Sequence, residues 1–463
     1  MRSVQSSSTI LLDPAFPYGE DLLQHIWEQG LYDSHALRTT DGAEVSVIKA
    51  GRIQRDSGPD LVDAQLRIGG QLWAGTVELH VRSSEWKAHG HHEDAAYDNV
   101  ILHVVYEHDA EARTASGRVL PTLELFPRVS TERIGLYHAL MRSKGFVPCA
   151  KQIAQVDQAR ASAWLERVLV ERLERKAIAA ESLFRELADD PSELIYHLIA
   201  RAFGLKVNAE PFGMLARVLP LRILNRYRDD ALRIEALLFG QAGLLQVDFV
   251  DEHPRRLQEE HRILSRLHEL APMPVAAWKF ARMRPINLPT VRIAQLARLI
   301  ARCDGDMGAL IGSDDPAALH RLLDVEADGY WSDHFVFDKA SAPSSKRLGR
   351  VGADHILINA IVPGLFALGR LLGRSEYADR AVRLLEQLPA EENTLLRGWA
   401  ALGMKADDAG RGQALIELKS MYCDKRQCLR CAIGQLLLRG TDQSSPSSRG
   451  ISANEGSPCS SSK

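Results

Sequence analysis

The chain has 463 residues and a mass of 51.4 kDa, and its 57 basic and 60 acidic side chains leave a net charge of −3. That length exceeds one hydrophobic core and predicts two to four domains, while 45% hydrophobic and 25% charged residues exclude a disordered, collagen-like or disulfide-dense chain. The balanced charge excludes a uniformly basic nucleic-acid-binding protein, and no apolar run reaches the roughly 18 residues of a membrane span.

Met1–Ile10 is Ser-rich and lacks the basic-then-apolar order of a secretory signal, so a cytoplasmic protein without a membrane partner is expected. Residues 1–14 are expected to be disordered. Residues 15–149 read as a mixed α/β domain. Tyr18–Gly30 predicts a helix with Leu22, Leu23, Ile26 and Trp27 on one face. Glu44–Lys49 reads as a short strand. Asp60–Ile68 alternates with Val62, Ala64, Leu66 and Ile68 on one face, Gly69-Gly70 supplies a hairpin turn, and Leu72–Val81 returns with Trp73, Val77, Leu79 and Val81 on its apolar face. Asn99–Glu107 is almost continuously apolar, as in a strand covered on both faces, and Pro121–Phe126 is a further strand.

Beyond residue 150 the pattern turns helical. Val156–Asp190 reads as one long helix or a helical hairpin, with Trp164, Val168, Arg172 and Lys176 at helical spacing. Glu193–Phe203, Arg233–Leu245, Pro254–Leu270, Arg292–Cys303, His355–Leu372 and Glu376–Leu388 follow, without a fixed repeat period. The helical domain is placed at 150–440, and the Ser-rich stretch 441–463 reads as a disordered tail.

The total charge conceals an asymmetry. Residues 1–149 carry 20 acidic and 14 basic side chains, and nine of the 16 histidines: His25, His35, His80, His89, His91, His92, His103, His108 and His138. Within them, Gly58-Pro59-Asp60 opens one strand, Glu78-Leu79-His80 sits in the next, and His89-Gly90-His91-His92 follows Trp86. An Asp before one strand and Glu-x-Lys on its partner, after a helix carrying an acid, is the pattern of the PD-(D/E)xK nucleases, which this region resembles. The resemblance implies a restriction-endonuclease-like mixed sheet. Asp60 and Glu78 would hold Mg²⁺ or Mn²⁺, since hard cations take oxygen ligands, and Glu20 or Glu28 would supply the helix acid. His80 stands where the family has Lys and would orient or deprotonate water near neutral pH, with Lys87 as a displaced alternative. The clustered histidines also admit Zn²⁺, Mn²⁺ or Fe. A regular hairpin through Gly69-Gly70 places Asp63 on the face of Glu78 and Asp60 on the opposite one. Asp63 is therefore the alternative acid, and Asp60 joins the site only through a bend or a bulge.

The six cysteines are Cys149, Cys303, Cys423, Cys428, Cys431 and Cys459. Cys423, Cys428 and Cys431 form Cys-x4-Cys-x2-Cys, a spacing suited to Zn²⁺ or an iron–sulfur cluster, with Cys149 as the fourth ligand. The set is similar to that of nucleases in which three C-terminal cysteines and one distant cysteine hold a cluster, although there the distant cysteine precedes the nuclease motif. Arg282, Arg284 and Arg292 are candidates to grip phosphates beside a helix N-terminus. Glu235–Gly243 lacks the Lys-Ser/Thr of a phosphate loop and reads as packing.

Gly58-Pro59-Asp60, Trp73–His80, Ser84-Glu85-Trp86, His89-Gly90-His91 and Ala96–Tyr106, together with Glu235–Gln241, Arg282–Pro285 and the terminal Cys motif, resemble a bacterial family, domain of unknown function 2851. That resemblance brings no activity but implies that the α/β and helical parts form one unit. The expected function is a metal-dependent, nuclease-like phosphodiesterase acting on DNA or RNA. The alternative is a non-catalytic helical scaffold or nucleic-acid adaptor held by Zn²⁺ or an iron–sulfur cluster.

Overall fold

The structure is a computed structural model and describes residues 18–54, 58–303 and 307–440. The expected disordered ends, with Cys459, lie outside the described residues. The chain divides into two compact units, Met1–Val156 with Arg426–Lys463, and Asp157–Lys425.

The first unit is a curled mixed sheet with a helix against it. Helix α1 (Glu20–Glu28) buries Leu22, Leu23, Ile26 and Trp27, the predicted face, at roughly 1.5–3 kcal/mol for each large side chain. Trp27 also donates its indole N–H to the Ala50 carbonyl at 3.0 Å. The strands are β1 (Val45–Lys49), β2 (Arg52–Ile53), β3 (Leu61–Ile68), β4 (Gln71–Arg82), β5 (Val100–Glu107) and β6 (Thr122–Glu124), ordered β1-β3-β4-β5-β6 with β2 also paired to β3. β3 is antiparallel to β1, β2 and β4, whereas β4–β5 and β5–β6 are parallel. Every residue of β5 but the last is buried, which explains its unbroken apolar run.

Two irregularities shape the sheet where it carries polar groups. Gly69 and Gly70, both with positive φ, close the β3–β4 hairpin so that Ile68 faces Gln71, and this register continues to Ala64 opposite Gly75. It then slips by one, and Leu61 faces Val77. Asp63, with φ of +59°, is the bulged residue. The slip puts Leu61 on the buried face in place of the expected Val62. β4 and β5 slip in turn beside Thr76, where the strands approach closely. A Cβ on Gly75 would lie 2.5 Å from the Ile101 side chain and 2.7 Å from the Asn99 carbonyl oxygen, so only glycine fits there.

A short helix α2 (Glu85–Ala88) follows β4, and α3 (Thr131–Arg142) follows the sheet. Among the described residues, 426–440 cluster with this unit. The Arg426 guanidinium donates to the carbonyls of Leu140 and Ser143 at 3.0 and 2.5 Å, and the helix Ala432–Arg439 packs on α3.

The second unit is helical. Helix α4 (Gln158–Glu186) is one continuous helix, started by the Asp157 side chain accepting the Arg160 amide at 2.9 Å. The remaining helices pack around it and around one another, with a small hairpin of His334–Val336 and Lys339–Ala340. The helical run Gly349–Leu371 is long and apolar enough to cross a membrane, at a mean hydropathy of 1.6, but 78% of its apolar window is buried inside the unit as a core helix.

Candidate metal centre

The slip at Asp63 decides what stands beside Glu78. Asp60 precedes β3, and its backbone N–H donates to Glu78 Oε2 at 2.9 Å. Its own carboxylate accepts from the Leu79 amide at 3.0 Å and from the Gln24 side chain of α1 at 2.8 Å. The structure thus brings Asp60, not Asp63, to Glu78. Asp63 is exposed and pairs with Arg52 at 3.2 Å. Glu20, in the first turn of α1, comes within 3.9 Å of His80 Nε2.

The other half of the centre is imidazole. Glu78 Oε1 lies 3.3 Å from His91 Nε2 and 3.9 Å from His80 Nε2. His80 Nε2 is 3.1 Å from His89 Nδ1, and His80 Nδ1 is 2.9 Å from His103 Nε2 on the neighbouring strand β5. Ligand atoms of His80, His89 and His91 all lie within 4.8 Å of one another, the group of three so arranged among the described residues. The rings are held by aromatic walls. Tyr97 stacks on His91 at 3.8 Å between centroids, and Trp86, tied by its indole N–H to the Arg113 carbonyl at 2.8 Å, meets His80, His91 and His103 edge-on or tilted.

The electrostatics describe a centre short of positive charge. Burial, followed by the proximity of Asp60, pushes the Glu78 carboxyl up to about 8. Burial and then Asp60 push Glu20 up to about 7. Asp60 is raised by burial, against the lowering effect of its hydrogen bonds from Leu79 and Gln24. The imidazoles move the opposite way: burial, then the neighbouring rings, hold His80 down to about 2, His91 to about 4 and His103 to about 3. Buried Glu78 and half-buried Asp60 and Glu20, beside imidazoles that resist protonation, offer oxygen and nitrogen donors of the kind a divalent cation takes.

The remaining expectations separate. Glu28 is half-buried at the far end of α1, and Lys87 is exposed on α2. Arg292 is buried and donates to Gln295 Oε1 at 3.0 Å and Asn287 Oδ1 at 2.6 Å, whereas Arg282 and Arg284 are exposed. Arg292 is thus held by a side chain of its own helix and by one from the turn that precedes it. Glu235 is buried and accepts from the Trp331 indole at 2.7 Å, which accords with packing. Cys149, Cys428 and Cys431 are buried in the first unit, and Cys423 is buried in the second. Burial, then the neighbouring thiols, push Cys149 and Cys428 up to about 12. Gln24, Trp86 and Tyr97 also shape the centre, and their sequence positions give little sign of it. Gln24, one helical turn after Glu20, carried the available signal.

A mixed sheet with a joined carboxylate and imidazole cluster, continuous with a helical unit, defines the class of protein. The chain belongs to the family described as protein of unknown function (DUF2851), which it matches over residues 20–394. That span runs from Glu20 through all the carboxylates and imidazoles of the centre and ends before Cys423. No match is found among curated proteins or among solved structures.

Proposed function

We propose that this chain is a metal-dependent phosphodiesterase acting on DNA or RNA, built on a restriction-endonuclease-like sheet. The observation that carries the reading is the hydrogen bond from the Asp60 amide to Glu78, which sets the Asp beside the Glu-x-His strand with Glu20 on the covering helix. Asp60 and Glu78, with Glu20, would hold Mg²⁺ or Mn²⁺. The cation would supply Lewis-acid polarisation of the scissile phosphate. His80, with its basicity suppressed and its Nδ1 engaged by His103, suits orienting water better than removing its proton. The buried thiols of Cys149 and Cys428 accord with a reducing, cytoplasmic setting.

The test is a Mn²⁺-dependent nuclease assay on single- and double-stranded DNA and on RNA, with wild type beside Glu78→Ala. Cleavage by wild type and its loss in the variant is the expected result. Equal activity in both, or none in either, overturns the proposal. The scaffold reading rests on the buried cysteines, as ligands for Zn²⁺ or an iron–sulfur cluster. It predicts bound zinc or iron without cleavage.

A further inference from the structure

We propose that His80, His89 and His91 form a second cation site, selective for a borderline transition ion of the Zn²⁺ or Co²⁺ kind, with Glu78 as its oxygen ligand. It shares Glu78 and His80 with the proposed phosphodiesterase but does not depend on hydrolysis.

The geometry carries the assignment. Three imidazole nitrogens from a strand and the loop after α2 converge within 4.8 Å, which offers nitrogen donors in the number that tetrahedral zinc sites use. Glu78 faces two ways: Oε2 accepts the Asp60 amide, and Oε1 lies 3.3 Å from His91 Nε2. That second oxygen, also 3.9 Å from His80 Nε2, would serve as the fourth donor. Nitrogen donors favour a d-block ion over Mg²⁺, so the two halves of the centre differ in the ion they select.

The surroundings orient the ligands as a metal requires. His80 presents Nε2 as an acceptor when Nδ1 carries the hydrogen and donates to His103 Nε2, at 2.9 Å. His103 then carries its own hydrogen on Nδ1, a buried atom with no hydrogen-bond partner. This tautomer chain leaves the His80 lone pair aimed at His89 and His91. Tyr97 and Trp86 fix the His91 ring against rotation.

The experiment uses the full chain, stripped with a chelator and titrated with Zn²⁺ by calorimetry. Cysteine binding is separated by comparing wild type, His89→Ala/His91→Ala and Cys428→Ser/Cys431→Ser. Loss of one bound equivalent in the histidine variant, with that equivalent retained in the cysteine variant, is expected. Unchanged stoichiometry in a folded histidine variant overturns the site. Should that variant fail to fold, zinc X-ray absorption on wild type decides: imidazole scattering supports the site, while sulfur-only scattering, or no bound zinc, overturns it. Cleavage with Mg²⁺ but no zinc at the histidines would remove this proposal and leave the phosphodiesterase standing. Zinc at the histidines without cleavage would do the reverse.

Discussion

The backbone amide of Asp60 donates to the carboxylate of Glu78 at 2.9 Å, although the hairpin turn five residues beyond β3's midpoint sets a register that would place Asp60 across from Leu79. The relationship exists because Asp63 absorbs one residue in a left-handed conformation. Asp tolerates that region better than most residues, and a β-branched side chain does not. Asp63→Gly should leave stability nearly unchanged, since its ion pair with Arg52 is exposed and worth little. Asp63→Val should cost about 1–3 kcal/mol. Urea unfolding of the two variants checks this, and a Val variant as stable as the Gly variant would sink the bulge as a strained device.

The hairpin turn, the apolar face of α1, the burial of Val77 and Leu79 in β4 and the double burial of β5 were legible because each follows from local periodicity or a two-glycine turn, although Trp73 and Val81 are only half-buried. The bulge was not, because a single Asp in a strand does not announce a positive φ. The convergence of His89 and His91 on His80 also escaped spacing arguments. It needs the chain to turn back through α2 onto a parallel strand, and the sequence shows only that histidines are numerous there. The return of Cys428 and Cys431 to the first unit depends on Arg426 reaching two carbonyls nearly three hundred residues earlier, a contact with no local signature.

Glu78 gives a pH signature in the metal-free protein. Its folded-state pKa of about 8 lies above the ordinary 4.5, so between those values the folded state holds more protons than the unfolded one. Its contribution to stability is full below pH 4.5 and is lost as pH rises through 8. Glu78→Gln removes that loss. The variant should gain about 1–3 kcal/mol on wild type between about pH 5 and pH 8.5, read by denaturant midpoints. Saturating divalent cation should shrink the gain, because it favours the ionised carboxylate. A gain independent of pH would contradict the assignment.

His103 is not one of the proposed ligands and acts on the site through its contact with His80 Nδ1. His103→Gln keeps an acceptor but alters its reach, and His103→Leu removes it. Zinc affinity should fall by about 10–100-fold in the Leu variant, with partial recovery in the Gln variant. Equal affinities in wild type and the Leu variant would show that His103 only packs.

Lys176 makes an independent prediction in the helical unit. It follows Trp164, Val168 and Arg172 along one stripe of α4, but its Nζ reaches Asn359 Oδ1 at 3.2 Å, in a π-helical turn, Leu357–Ile361. Around it, Arg172 and Arg175 grip Glu417, while Gln413 ties Arg172 to Glu391. Burial, aided by Arg172 and opposed by Glu391, holds the Lys176 ammonium down to about 7 from the usual 10.5. The unfolded chain therefore binds more protons than the folded one between those values, and stability rises with pH across that window. Below about 7 the folded state carries the full cost of a poorly solvated charge. Lys176→Met removes the charge while keeping most of the stem. The stability difference, variant minus wild type, should be most favourable to the variant near about pH 6. It should shrink by about 1–3 kcal/mol by about pH 9.5, as wild-type Lys176 loses its proton. Chemical denaturation at the two pH values measures it, and a difference that does not change with pH would show that Lys176 stays charged in the fold.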